Sequence, residues 1–311
     1  MTSFQTPNSF QTLAVTGGTG FIGRHFLRLA AERGYRLRAL TRRPQPAMAG
    51  VEWIAGALDD PASLRRLMDD ADAVIHIAGV ISAPDREGFN AGNAVGTLAV
   101  IEAARATGIR RLIHISSLAA REPDLSDYGW SKARSEAIVA ASGLDWTAIR
   151  PPAVYGEGDR ETLELFRMAN KRVMLLPPGG RLSLIEVGDL SRLLLAALDD
   201  PESIARVYEP DDGMPNGWDH KQLARAIGDA LGRKVWPFAV PAWLLRLASR
   251  LEARWRGPAA KLTADRVRYF CHPDWVAARD RLPPPLLWRP KTGSFGGLKA
   301  TAEWYRAEGW L

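Results

Sequence analysis

The stretch LAVTGGTGFIG, residues 13–23, limits the fold of this 311-residue chain more than any other. A short apolar run enters a turn with Gly17, Gly20 and Gly23 three apart, and the residues beyond it follow a helical pattern. In a strand–turn–helix unit Gly17 allows the tight turn, Gly20 lets backbone approach a pyrophosphate, and Gly23 lets the helix pack against the strand. The helix N-terminus then turns unbonded N–H groups and a partial positive charge toward the anion. The turn lacks the Gly-Lys-Ser/Thr ending of a nucleoside-triphosphate loop, so a dinucleotide is the expected ligand.

The first half repeats this alternation. LAVTG, RLRAL, AVIHIAG, RLIHISS and WTAIRPP read as strands, each followed by a helix-like segment. Strand and helix in turn predict an α/β fold, a Rossmann-type doubly wound parallel sheet with helices on both faces. A hydrophobic content of 46% is enough for a core of that size. After Tyr155 the breakers Pro177-Pro178-Gly179-Gly180, 210–217 and Pro283-Pro284-Pro285 mark a smaller, irregular region. LIEVGDLSRLLLAALDD again reads as a strand and an Asp-capped helix. The expected division is therefore 10–159 with 183–199 for the dinucleotide-binding domain, and 160–182 with 200–311 for a discontinuous substrate-binding domain.

About twenty residues past the glycine turn, a site for NAD places an acid against the ribose 2′-hydroxyl. Here the second strand ends in Thr41-Arg42-Arg43. Arg42 suits a 2′-phosphate by charge and by its guanidinium fork, so NADP(H) is expected to be preferred, with NAD(H) as the second choice. In DYGWSKARSE, Tyr128 and Lys132 stand four apart, on one face of a helix. An ammonium near a phenol lowers its pKa and fits it for proton transfer. The strand ending HISS brings a serine hydroxyl to the sheet edge where open α/β folds bind ligands.

Other chemistry finds less support. The net charge of +6 comes from arginines spread along the chain, with no dense basic run or nucleic-acid motif, so no nucleic-acid partner is expected. The N-terminus MTSFQTPNSFQ lacks the basic flank and apolar core of a signal peptide, and no apolar stretch is long enough to span a membrane. The expected location is cytoplasmic. The single cysteine, Cys271, leaves no internal disulfide. His76 and His114 lie inside apolar strands without a second ligand at metal-site spacing, so they read as core residues and no metal is expected.

TGGTGFIG, VIHIAG, NAVGT, HISS, YGWSK and RPPAVYGEGD together, in this order, resemble the extended short-chain dehydrogenase/reductase superfamily, the NAD(P)-dependent epimerase/dehydratase family. The tail segments LTADRVRYFCHPDWV and GLKATAEWYRAEGWL resemble its dihydroflavonol-reductase and 3-beta-hydroxysteroid-dehydrogenase-like branch. The resemblance implies a catalytic set of Ser117, Tyr128 and Lys132, with Ser117 favoured over Ser116. It implies cofactor contacts from Gly17, Thr19, Gly20, Phe21, Ile22, Gly23 and Arg42 on the phosphate side. Ala78 and Gly79 would line the middle, Pro151 to Val154 the nicotinamide side, and Tyr128 and Lys132 would also reach the cofactor. In GALDDPASL, Ala57 stands where the family has an aspartate against adenine, which leaves Leu58 and backbone to hold the base. The segment between Ser117 and Tyr128 is shorter than in sugar-nucleotide epimerases, and no Asp-Glu pair follows Ser117 as in sugar dehydratases.

The implied activity is an NADP(H)-dependent oxidoreductase acting on a carbonyl or secondary alcohol of a bulky, largely apolar small molecule. A nucleotide-sugar epimerase is the alternative, with Arg160, Lys171, Arg172 and Arg181 available for the diphosphate; a non-catalytic NADP(H)-binding sensor or scaffold is the second. A homodimer is compatible with each. In VPAWLLRLASRLEARWR, Trp243, Leu244, Leu247 and Leu251 share a helical face and Arg246, Arg250 and Arg254 form a stripe. That helix reads either as cover for the second core or as an interfacial helix in peripheral contact with a membrane.

Overall fold

In a computed structural model the chain is described over residues 10–257 and 262–311. The first nine residues of the N-terminal segment read for a signal peptide lie outside that range. Strand β1 (Thr12–Thr16) is buried on both sides: Leu13 and Val15 face one core, Ala14 the other. That explains why it reads as a continuous apolar run and not as an alternating one. Helix α1 (Phe21–Glu32) follows the glycine turn. Then come β2 (Arg36–Thr41), β3 (Val51–Ala55), α2 (Pro61–Met68) and β4 (Ala73–His76). A short α3 (Arg86–Phe89), a π-helical turn (Asn90–Val95) and α4 (Gly96–Ala106) lead to β5 (Arg111–Ile115), α5 (Asp127–Ala140) and β6 (Asp145–Ile149).

Later in the chain stand β7 (Ala153–Tyr155), α6 (Leu163–Asn170), β8 (Val173–Leu176), β9 (Arg181–Leu182), β10 (Leu184–Glu186), α7 (Val187–Asp199) and β11 (Arg206–Tyr208). The seven-stranded sheet runs β11-β6-β5-β4-β1-β2-β3 and every pairing in it is parallel. Helices α1 and α7 cover one face, while α2 and α4 cover the other. This is the Rossmann-type doubly wound sheet expected from the sequence. The chain leaves β1 toward β2 on one side and returns to β4 on the other, so a crevice opens at their C-terminal ends, where such folds bind ligands.

Three local expectations need correction. No helix separates β2 from β3, and β6 is followed by the short β7. The helix of the re-entering segment is capped by Glu186, whose carboxylate accepts from Asp189 N at 3.0 Å, and not by an aspartate. Residues past 199 also belong to the sheet, because β11 pairs with β6 as its edge strand.

The remainder builds a second core around Trp218, Tyr155, Phe166 and Tyr305. Its elements are β12 (Trp218–Asp219), α8 (His220–Ala230), β13 (Trp236–Ala239), α9 (Ala242–Arg256), α10 (Ala264–Phe270), β14 (Asp274–Trp275) and α11 (Ser294–Ala307). The chain comes back to the first core to close it. The Asp189 carboxylate accepts from Lys291 N and Thr292 N, both at 2.8 Å, and its carbonyl accepts from the buried Trp288 indole at 3.0 Å. Glu209, wholly buried, accepts from Ala278 N at 2.9 Å.

Candidate active site

At the mouth of the crevice Gly17 has φ +76°, and a Cβ there would lie 2.5 Å from Ala78 N. The turn is therefore pressed against the end of β4, which a side chain would prevent. A Cβ on Gly23 would lie 2.1 Å from the Gly17 carbonyl oxygen, so only glycine lets α1 start this close to β1. Gly20 is exposed, and α1 begins there with no side-chain cap, leaving the N–H groups of its first turn directed outward. Thr19, Phe21 and Ile22 are partly exposed around it. This cradle fits a dinucleotide pyrophosphate.

Val15 pairs with Ala39, so the exposed Arg42 leaves the sheet at the same edge as the glycine turn. The region after β3 is built without the missing aspartate. Ser63, fully buried, donates to the Ala57 carbonyl at 3.1 Å, and Asp60 caps α2. Leu58 reaches Gly96, where a Cβ would lie 2.8 Å from Leu58 Cδ1. Ala78 and Gly79 lie in the loop that follows β4 at the crevice; Pro151 is buried and accepts from Leu118 N at 3.1 Å, and Val154 stands nearby in β7.

Helix α5 brings Tyr128 and Lys132 to one side. Ser126 caps it, accepting from Gly129 N at 3.0 Å, which places Tyr128 in the first turn. The serines of HISS part here: Ser116 donates to Glu136, whereas Ser117 approaches the Tyr128 phenol and favours its ionised form. Burial acts more strongly, so the Tyr128 pKa is raised above its ordinary value. The expected depression by Lys132 is not found. Lys132 Nζ donates instead to the Ile115 carbonyl at 3.0 Å, and burial draws its own pKa down to about 8, with Glu136 opposing.

Several residues of the site escaped the sequence reading. Asn93, in the π-helical turn, accepts from Val80 N at 2.8 Å and donates to Ser131 Oγ at 2.9 Å, joining the loop after β4 to α5. Its place in NAVGT was the available signal. Helix α10 meets the start of α5, Asp265 accepting from Asp127 N at 3.1 Å; on α10, burial raises the Tyr269 pKa and Tyr128 adds to the rise. Arg150 binds Glu136 at 2.6 Å and Glu209 at 3.1 Å, and Arg121 meets Glu209 at 3.4 Å, a buried chain of charge behind Ser116.

His76 and His114 are buried and stacked at 5.3 Å. His76 lies between Thr16 Oγ1 at 2.6 Å and Thr97 Oγ1 at 2.9 Å; burial first, then the Lys132 charge, brings its pKa to about 3. Among the described residues no cluster of His, Cys, Asp and Glu is arranged to hold a metal ion. Of the four basic residues considered for a diphosphate, two are engaged elsewhere. Arg181 donates to the carbonyls of Asn216 at 2.6 Å and Gly217 at 2.9 Å, and Arg160 lies over Trp310 at 5.0 Å.

Residues 13–209 match the model of a family described as NAD dependent epimerase/dehydratase. A ceramide reductase of Caulobacter vibrioides is 36% identical over 308 residues, covering 96% of each chain. A 4-hydroxy-2-methyl-3-oxo-4-farnesyl-3,4-dihydroquinoline-1-oxide ketoreductase of Stigmatella aurantiaca is 29% identical, covering 82% of this chain and 85% of that one. The UDP-glucose 4-epimerase of Thermus thermophilus in complex with NAD superposes with a TM-score of 0.70 over 95% of this chain and 99% of its own, at 21% identity. That last likeness concerns the fold.

Proposed function

The chain belongs to the NAD dependent epimerase/dehydratase family and is thus an NAD(P)-dependent enzyme; from that premise we propose that it is an NADP(H)-dependent reductase of a bulky, largely apolar carbonyl compound. The observation that carries the reading is Ser117 beside the Tyr128 phenol, with Lys132 one turn on, at the sheet edge where the glycine turn opens.

The chemistry a bound nicotinamide dinucleotide supplies is hydride transfer. Gly17, Thr19, Gly20, Phe21, Ile22 and Gly23 would hold its pyrophosphate, and Arg42 its 2′-phosphate. Leu58, Ala78 and Gly79 would line the adenine side and the middle; Pro151 and Val154 would face the nicotinamide. Tyr128, kept protonated by burial, gives its proton to the carbonyl oxygen as charge develops there. Ser117 Oγ donates to the same oxygen and fixes its position. Lys132, buried beside Gly79 and donating to the Ile115 carbonyl, would offer its ammonium to ribose hydroxyls.

The substrate lobe in this reading is 160–182 with 200–311, less the edge strand β11. An apolar substrate draws support from the names of the two relatives, a ceramide reductase and a ketoreductase of a farnesyl-substituted dihydroquinoline oxide. The dispersal of Arg160 and Arg181 counts against a nucleotide sugar. The test follows NADPH absorbance with a panel of apolar ketones and of nucleotide sugars. Consumption with an apolar ketone is expected. A protein that keeps its dinucleotide through purification and interconverts nucleotide sugars without net consumption overturns the reading.

A further inference from the structure

Helix α9 turns its apolar side away from the protein. At 100° per residue, Leu245, Ser249 and Glu252 fall on the side facing the protein, and each is wholly or partly buried. Opposite them lie Trp243 at 62% and Leu247 at 46% exposure, and the row continues round the flank through Leu251 at 53% to Trp255 at 88%. The expectation that this face covers the second core is therefore corrected: none of its residues joins that core, and each stands exposed. The ribbon that precedes it repeats the pattern. In the parallel pair β8–β13, Met174 and Leu176 are buried, while Leu175, Trp236 and Phe238 stand out on the opposite side. The chain passes from that ribbon through Val240 and Pro241 directly into α9.

The charges beside this surface are of one sign. Arg246, Arg250 and Arg254 flank the apolar ridge at intervals of four, without an ion pair among the described residues. Lys234 lies over the Trp236 ring at 5.1 Å. The one acid of α9, Glu252, points inward and meets Arg256 at 3.3 Å. A second copy docked helix to helix through this same face would bring no acid of α9 to these arginines. An apolar ridge bordered by uncompensated cations matches a bilayer with anionic headgroups, where side chains such as Trp and Leu enter the acyl boundary and arginines remain with the phosphates.

We propose that α9, with the outer face of the β8–β13 ribbon, docks the protein on a bilayer that contains anionic phospholipid. Helix α10 packs on α9, and its Asp265 accepts from Asp127 N at 3.1 Å, so the docked face adjoins the start of α5, where Tyr128 stands. A substrate dissolved in the bilayer then reaches Tyr128 by a short path; this last step rests on the apolar substrate proposed above, whereas docking does not.

The test is flotation of the full chain with vesicles of phosphatidylcholine alone and of phosphatidylcholine mixed with phosphatidylglycerol. Flotation with the mixed vesicles, weakened by salt, is expected. Leu247→Glu with Leu251→Glu should abolish it, and replacing Arg246, Arg250 and Arg254 by Gln should lower partition roughly a hundredfold at low salt. Reduction of a water-soluble ketone, measured in parallel, should be unchanged in both variants, which separates docking from chemistry. No flotation with either vesicle, or flotation indifferent to the Leu247→Glu and Leu251→Glu pair, overturns the proposal. So does a dimer in solution that Leu247→Glu dissociates while vesicles bind nothing, which assigns the face to a second copy.

Discussion

Lys132 Nζ lies 3.0 Å from the Ile115 carbonyl oxygen, inside the protein and one turn beyond Tyr128. One carbonyl does not replace the water an ammonium loses, which is why the Lys132 pKa falls from 10.5 to about 8.

That fall has a direction in stability. Below about pH 8 folded and unfolded chains both hold the proton, and the burial cost is fully present. Between about 8 and 10.5 the unfolded chain holds a proton that the folded chain has released, so the Lys132 contribution to stability rises with pH there. Lys132→Met should thus stabilise the cofactor-free protein at pH 7 by up to roughly 3 kcal/mol, an advantage lost by about pH 10.5, while NADPH affinity and turnover decline. Denaturant titrations of both proteins at the two pH values decide it; a variant no more stable than the native protein at pH 7 contradicts the prediction.

Tyr128→Phe removes one hydroxyl from a helix whose cap and packing are elsewhere. Cofactor affinity and melting temperature should stay close to native, and turnover should fall by roughly two to four orders of magnitude, the contribution of a positioned acid. Turnover within about tenfold of native would assign the proton transfer to another group.

Arg42→Ala should weaken NADPH binding by about 1.5–3 kcal/mol, the worth of a hydrogen bond to a charged group, and leave NADH almost unaffected. Calorimetry with both dinucleotides measures this. Equal affinity of the native protein for the two would remove the role given to Arg42.

Gly23→Ala puts a methyl group 2.1 Å from the Gly17 carbonyl, where the backbone has to move. A loss of roughly 1–3 kcal/mol in stability and of dinucleotide binding is expected. A thermal shift on adding NADPH equal to that of the native protein would show that the turn tolerates the displacement.

The parts legible in the sequence are those whose chemistry is local. Gly17 and Gly23 have to be glycine because backbone lies within 3 Å of the Cβ each would carry, and that need leaves a mark three residues wide. Tyr128 and Lys132 share a helix. Strand β3 was missed because it is the sheet's edge: Glu52 faces solvent and pairs with Arg38 on β2, so VEWIA alternates where the inner strands run apolar. The part of α10 in the site was missed because only tertiary packing brings Asp265 to the Asp127 amide at the start of α5. In α9 the periodicity revealed an apolar face but held no information about what lies against it.

The returns of the C-terminal chain to Asp189 and Glu209 bear on how the protein can be recombined. The family match ends at residue 209, yet both carboxylates take backbone N–H donors from 278–292. A chimera joined at 209 exchanges these donors along with everything else that follows, and leaves two buried carboxylates with their arginine partners but short of backbone donors unless the incoming sequence happens to supply the same loop. The workable seams enclose 276–292 with the parental sheet and graft only the stretch between β11 and that loop, so a change of specificity has to be inserted into this protein and not appended to it.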